Sequence, residues 1–236
     1  MQNKNNALAG LFIAISIICL GFLLNSGIND FTNKDRKVFV KGLAELEVKA
    51  NQVEWPIVYK EPGNDLKIIY KDILRKNNDI VKFLKDNGLS DEDITIAAPT
   101  VEDNNADRYQ DPAKIKTRYI VTSVVSVSSK KVDLVIKLMF KQTELIAKGI
   151  AISGNDYNYS TQFSFTGLNK IKPKMIEEAT KNARKAALKF AEDSKSKLGK
   201  IMYASQGQFS ISDRNSNTPQ IKNIRVVTSI SYGLID

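Results

Sequence analysis

Between Lys170 and Ile201 the chain reads KIKPKMIEEATKNARKAALKFAEDSKSKLGKI, and no other stretch constrains the fold as strongly. Ile171, Met175, Ala179, Ala183, Ala186, Ala187, Phe190 and Leu198 recur mostly at steps of three and four, the spacing that gathers side chains on one face of a helix. Half of these positions are alanine, so the apolar stripe is narrow and shallow. Such a stripe lets a helix lie close against a sheet whose own residues supply the bulk. The charges occupy the remaining faces, with Glu177 and Glu178 near the amino end and lysines toward the carboxyl end, as the helix dipole prefers. The expectation is a packing helix with a solvated basic face, and an anion-binding face is the alternative.

With 236 residues, 42% of them hydrophobic, the chain can bury the core of one large domain or two small ones. Lysine and arginine number 35 against 26 acidic residues, a formal charge of +9 that favours loose attraction to anionic partners. Histidine is absent, and Cys19 is the only cysteine. Imidazole bases and ligands are therefore excluded, as is an intramolecular disulfide. Serine–lysine pairs and lysine imines are the nucleophilic chemistry left open. No Gly-x-Ser-x-Gly elbow and no phosphate-cradling glycine loop occurs. The chain is accordingly read as no enzyme, with no catalytic, cofactor-binding or metal-binding residue assigned.

From Ala7 to Leu24 the chain is apolar apart from Ser16, and about 18 such residues just suffice to cross a bilayer as a helix. Leu24-Asn25-Ser26-Gly27 makes a poor signal-cleavage site, and Ile17-Ile18 before Cys19 departs from a lipoprotein site. Residues 1–24 are therefore expected to be an uncleaved signal anchor, with a cleaved signal peptide as the alternative. Lys4 and the amino terminus on one flank balance Lys34, Arg36 and Lys37 on the other, which leaves the orientation undecided. Residues 25–37 read as a linker and 38–236 as the body, one domain or two subdomains.

Within the body, Val38 to Tyr59 alternates with period two and predicts two paired strands bending near Ala50-Asn51. Asn64 to Asn87 carries Leu66, Ile69, Tyr70, Ile73, Leu74, Ile80, Val81 and Leu84 at helical spacing. Gly88 would cap this helix in the left-handed conformation, with Leu89 packing back on its last turn. Ile94 to Val101 and Lys116 to Ser128 predict a long hairpin around the polar segment Glu102 to Pro112. Lys131 to Lys148 suits a second helix ended by Gly149, through Val132, Val135, Ile136, Met139, Phe140, Ile146 and Ala147. Tyr157 to Phe165, Lys200 to Ser212 and Asn223 to Leu234 read as strands. The order describes an α+β fold: antiparallel sheets with long hairpins covered by three helices, preceded by one N-terminal transmembrane or signal helix.

Val40, Gly42, Ala44, Val48 and Ala50 follow the pattern V-x-G-x-G/A-x-x-x-V-x-A, although Asn51-Gln52 stand where Pro-Asp is usual. Downstream come Asn78, Leu84, Gly88-Leu89 and Asp93-Ile94-Thr95, then Arg118-Tyr119 with Val125 and Val127. Phe163, Glu178-Ala179, Ala183-Arg184, Ala186, Ala187, Ala191 and Leu198-Gly199-Lys200-Ile201 continue the series, and Arg225-Val226-Val227-Thr228 ends it. In this order and spacing, over residues 38 to 234, the chain resembles the SIMPL-domain proteins of bacterial envelopes. It looks similar to periplasmic immunogenic and stress-associated members, some of which assemble into large ring-like or channel-like oligomers. The resemblance implies export, with residues 25–236 on the outer side of the inner membrane, or in the periplasm if the leader is cleaved. It implies no active site to carry over.

The acidic residues Glu102, Asp103, Asp107 and Asp111 invite calcium binding, since Asp103 to Asp107 mimics the first half of a calcium loop. Arg108 and Lys114 stand where glycine and glutamate are needed, so a solvated hairpin tip is expected. Asp213 to Asn217 fails the same test. Trp55, Tyr59, Tyr157, Tyr159, Phe163 and Phe165 are expected in packing rather than in a ligand groove. Nucleic-acid binding is disfavoured by the implied export and by the lack of a recognisable module. Long Val-rich edge strands need cover, which points to a homo-oligomer. The first functional expectation is thus a self-associating, non-enzymatic protein of envelope maintenance or stress tolerance, the second is a module binding an anionic envelope ligand, and a hydrolase without histidine ranks third.

Overall fold

The structure, a computed structural model, describes residues 14–24, 36–106, 116–154 and 158–235. In chain order the elements are α1 (residues 14–24), β1 (Lys37–Lys49), β2 (Gln52–Gly63), α2 (Leu66–Asp86), β3 (Ile94–Ile96), β4 (Thr100–Asp103), β5 (Tyr119–Ser129), α3 (Val132–Lys141) and α4 (Thr143–Ala147). They continue with β6 (Gln162–Ser164), α5 (Leu168–Asp193), β7 (Lys197–Gln206), β8 (Ser210–Asp213) and β9 (Ile221–Ile235). The class is α+β with antiparallel sheets, as the sequence implied. The chain divides into two compact units, Met1–Leu46 with Asn169–Ile211 and Ile224–Asp236, and Glu47–Leu168 with Ser212–Asn223.

In the first unit the strand order is β1-β9-β7, and β8 also pairs with β9. The long helix α5 closes it through Met175, Ala179, Ala183, Ala187 and Ala191, all buried and each four residues from the next. Val40, Ile230 and Tyr232 supply the bulk on the sheet side of this small core. The approach is close at Gly42, where an added Cβ would lie 1.8 Å from the Ala179 carbonyl oxygen and 2.5 Å from the Ala183 nitrogen. Asn182 Nδ2 donates to the Leu43 carbonyl at 2.8 Å and ties the helix to β1 beside that contact.

The second unit has the strand order β3-β5-β2-β6, with β4 also on β5. β2 and β5 run antiparallel from Val53 opposite Ser129 to Gly63 opposite Tyr119. Ile57 and Val125 from the sheet meet Ile73, Ile80 and Leu84 of α2, Val135 and Leu138 of α3 and Leu145 of α4 in one core. α2 ends as the sequence implies: Gly88 has φ +99°, Leu89 N–H donates to the Leu84 carbonyl, and the Leu89 side chain is buried.

Several expectations need correction. The bend at Ala50-Asn51 exists, but β1 and β2 are not each other's partners: β1 pairs with β9, and β2 with β5 and β6. At the bend, Ala50 N–H donates to the Gln220 carbonyl and Asn51 N–H to the Ser164 carbonyl, so remote segments take the groups a local hairpin would have used. Among the described residues the body has four helices instead of three, because Lys131 to Lys148 breaks at Gln142 into α3 and α4. The break lets Leu145 reach the core and leaves Phe140 81% exposed. The helix expected to run to Ile201 stops at Asp193. There Lys195, at φ +55°, and Ser196 donate to the carbonyls of Glu192 and Ala191, a Schellman closure with lysine in the place glycine usually takes. Phe190 lies off the buried row of Ala183, Ala187 and Ala191 and is exposed, and Leu198 belongs to β7. The strand expected from Tyr157 is only β6, with Tyr157 itself outside the described residues. Among the described residues no helix is long and apolar enough to cross a membrane. Of the expected N-terminal anchor, residues 14–24 are helical, and residues 1–13 and the linker residues 25–35 lie outside the described residues.

Candidate interaction surfaces

Strand β7 is the most conspicuous surface of the first unit. Among the described residues it hydrogen-bonds to β9 on one side only, and every residue from Lys200 to Gln206 is exposed, so side chains on both of its faces reach solvent there. Ile201, Met202 and Tyr203 are 53%, 54% and 61% exposed. A strand normally buries one face, and an edge with apolar side chains on both is a template for another chain. Two register shifts against β9, between Leu198 and Tyr203, add local twist, after which pairing is regular from Tyr203 opposite Ser231 to Gln206 opposite Thr228.

In the second unit, Lys49, Lys130 and Lys131 surround a recess of about 640 Å³ with Asn51, Gln220 and the first turn of α3. α3 begins at Lys131 without a side-chain cap, so cations stand at the positive end of the helix dipole. Lys131 is partly committed, since its Nζ donates to the Gly88 carbonyl at 2.9 Å and lies 3.9 Å from Asp93. Burial pushes the Asp93 carboxyl up. Hydrogen bonds from the Ser90 backbone and side chain and from Ser129, with the charge of Lys131, outweigh that and hold it below its ordinary value. Asp133 also lines the recess and opposes an anion there.

A second recess of about 340 Å³, with an almost wholly apolar lining, lies between α2 and β4. Ile73 and Val121 form its buried floor, Leu66 and Tyr70 one wall, and Pro99 and Val101 the other. Lys67 is the charged residue of its lining.

Asp103, Asp213 and Asn215 take structural roles. Arg118 grips Asp103 with Nε 3.2 Å from Oδ1 and a terminal nitrogen 3.1 Å from Oδ2, and these bonds hold that carboxyl below its ordinary range. Asn105 N–H donates to the same carboxylate, so it is not an open ligand. Asp107, Asp111, Arg108 and Lys114 lie outside the described residues. No group of three or more potential metal-binding side chains occurs among the described residues. Asp213 is paired with Lys222, and Asn215 Oδ1 accepts from the N–H groups of Asn217 and Thr218, closing that loop on itself.

Of the aromatics, Trp55 and Tyr59 are buried and Phe163 packs on the same core. Trp55 also borders a recess of about 590 Å³ that the more exposed Tyr159 shares. Tyr59 belongs to a buried polar network that sequence reasoning missed. Its hydroxyl donates to Asn77 Oδ1 at 2.9 Å, Ser123 Oγ donates to the same oxygen at 3.1 Å, and burial pushes the Tyr59 hydroxyl pKa up. The available signal was Asn77 itself, which interrupts the apolar stripe between Ile73 and Ile80. On α5, Lys181 pairs with Glu177 and Lys189 with Asp193, the i,i+4 pattern of a solvated face.

The family described as "SIMPL: Protein of unknown function (DUF541)" matches residues 38–229. No curated protein matches the chain.

Proposed function

The chain belongs to the SIMPL family, whose function is unknown, and from that footing we propose that it is a non-enzymatic envelope protein whose body self-associates, in envelope maintenance or stress tolerance. The observation that carries this reading is β7, an edge strand with Ile201, Met202 and Tyr203 exposed on it. A second copy suits that edge. In antiparallel pairing about its middle, Lys197 of one copy faces Gln206 of the other and Lys200 faces Tyr203, and Ile201 meets Met202 at the centre. Location on the outer side of the inner membrane is part of the same proposal. The described part of the N-terminal helix supports the membrane attachment in it, since Ile15, Ile18, Leu20, Phe22 and Leu23 are all exposed there. A helix apolar on every side needs a core or a lipid phase around it.

Sedimentation of the full chain across a wide concentration range tests the reading. The expected mass exceeds the 26.4 kDa of one chain, and Tyr203→Lys lowers it. A strict monomer at every concentration would remove self-association. The recess at Lys49, Lys130 and Lys131 favours a second reading, a module for an anionic envelope ligand. Binding to anionic vesicles should then weaken as salt rises toward physiological strength, and salt-independent binding rules that electrostatic account out.

A further inference from the structure

We infer that the apolar groove between α2 and β4 binds the chain of a single long-chain carboxylate, with Lys67 at the acid group. The groove is an unfinished part of the second unit's core. Val101 of β4 stands opposite Val121 of β5 in antiparallel register, and cross-strand partners share a face of the sheet. Val121 is buried, yet Val101 on the same face is 53% exposed, because α2 leaves the β4 end uncovered. α2 meets that opening with a second apolar stripe. Leu66, Tyr70 and Leu74 follow one another at four-residue steps and are all exposed, beside the buried stripe of Ile69, Ile73 and Ile80.

The chemistry of the lining selects the occupant. At about 340 Å³ the groove is near the small end of ligand pockets. Its walls offer almost no hydrogen-bonding groups, so a polar ligand would lose its water without replacement. An aliphatic chain loses nothing by entering and removes apolar surface from water. Charge sets the end group. Lys67 is the charged residue of the lining, and it forms no ion pair among the described residues. The neighbouring Asp65 carboxylate accepts from the N–H groups of Lys67 and Ile68 as the helix cap. A chain with one terminal anion satisfies both the apolar trough and the cation at its rim.

Photolabelling of the full chain with a diazirine-bearing dodecanoate, mapped by mass spectrometry, tests the inference. Adducts are expected on the segments around Leu66 to Ile73 and Pro99 to Val101, and unlabelled dodecanoate should compete them away. Lys67→Glu should weaken competition by dodecanoate about two- to fivefold, the scale of an exposed charge contact, while leaving competition by neutral dodecanol unchanged. Val101→Asp should remove the adducts, with circular dichroism unchanged because the side chain is already half in water. Labelling confined to residues 14–24, or untouched by Val101→Asp, overturns the site. An equal effect of Lys67→Glu on dodecanol overturns the carboxylate assignment. Cross-links between two copies at Tyr70 in the absence of adducts would give the groove to a second copy and overturn it as well.

Discussion

Replacing Gly42 by alanine adds one methyl group to the middle of β1, and backbone entropy alone says that this helps, by about 0.4–1 kcal/mol where the conformation is compatible. The structure gives the opposite sign. The new carbon would stand 1.8 Å from the Ala179 oxygen, 2.5 Å from the Ala183 nitrogen and 2.8 Å from the Ala183 Cβ. A carbon and a carbonyl oxygen touch at about 3.3–3.6 Å, so α5 must retreat by more than an ångström. Two of the three obstructing atoms are backbone, and no rotamer change relieves them. The retreat loosens the contacts of Met175, Ala179, Ala183, Ala187 and Ala191 together, and a gap of about 0.5–1 Å already forfeits a quarter to a half of a contact's attraction. Overpacking of this kind costs about 1–3 kcal/mol and sometimes more, and the rigid neighbours place Gly42→Ala at the upper end. With a urea dependence of about 1–3 kcal/mol per molar, the midpoint should fall by on the order of 1–3 M. Far-UV circular dichroism reads the helices of both units together, whereas Trp55, the sole tryptophan, reports on the second unit's core, so loss of helical signal ahead of the Trp55 transition marks the first unit unfolding apart. Ala183→Gly should not rescue the variant, because the Ala179 oxygen remains in the way. A midpoint equal to or above that of the parent would refute the close-packing argument.

Ala187→Glu puts a carboxylate at a fully buried position of the same stripe and should cost about 3–5 kcal/mol, seen as a lowered melting temperature. Unchanged melting would move Ala187 to the surface. The hydroxyl of Thr228 is buried without a hydrogen-bond partner among the described residues, so Thr228→Val should be neutral or stabilising by about 1 kcal/mol in urea unfolding. A clear loss would mean that the hydroxyl has a partner. Tyr59→Phe leaves the Asn77 oxygen with Ser123 and should cost about 1 kcal/mol. The Asp93 carboxyl is held below its unfolded value of about 3.9. Its stabilisation is therefore full above that pH and is lost as pH falls through the lower folded value. Asp93→Asn should flatten this acid limb in stability measured against pH, and an unaltered limb would assign it to other carboxylates.

What the sequence made legible follows the range of the interaction. α2, its glycine cap and the returning Leu89 are local, written within a few residues of one another, and they are found where expected. The pairing of Ile94–Val101 with Lys116–Ser128 is also near in sequence and is present as β3 and β4 on β5, interrupted between them by Ala97 to Pro99. The partner of β1 was not legible, because alternation tells which residues share a face and not which distant strand lies beside them. The end of α5 was missed for a different reason. Lysine rarely adopts the left-handed conformation, so nothing at Lys195 announced a cap, and the apolar residues beyond it continued the helical count by coincidence.

That coincidence bears on the candidate surface. Leu198 and Ile201 entered the sequence reading within the expected helix, with Leu198 counted in its apolar stripe, yet both belong to β7, where Ile201, Met202 and Tyr203 face water. Composition and spacing record only that a residue is apolar, and a subunit interface is built from the same residues as a core. Burial in one chain separates the two, since a core position is covered by its own chain and an interface position is not. The alanine stripe passes that test, and β7 fails it over most of its length. Mutations should therefore divide by strand and helix. Charges placed at Ala183 or Ala187 lower stability at any protein concentration. A charge at Tyr203, already exposed, leaves the stability of the isolated chain nearly unchanged and acts through assembly, so that its effect grows with concentration. Loss of stability by Tyr203→Lys in dilute solution would place that side chain in the fold of the single chain and take the strand out of the interface.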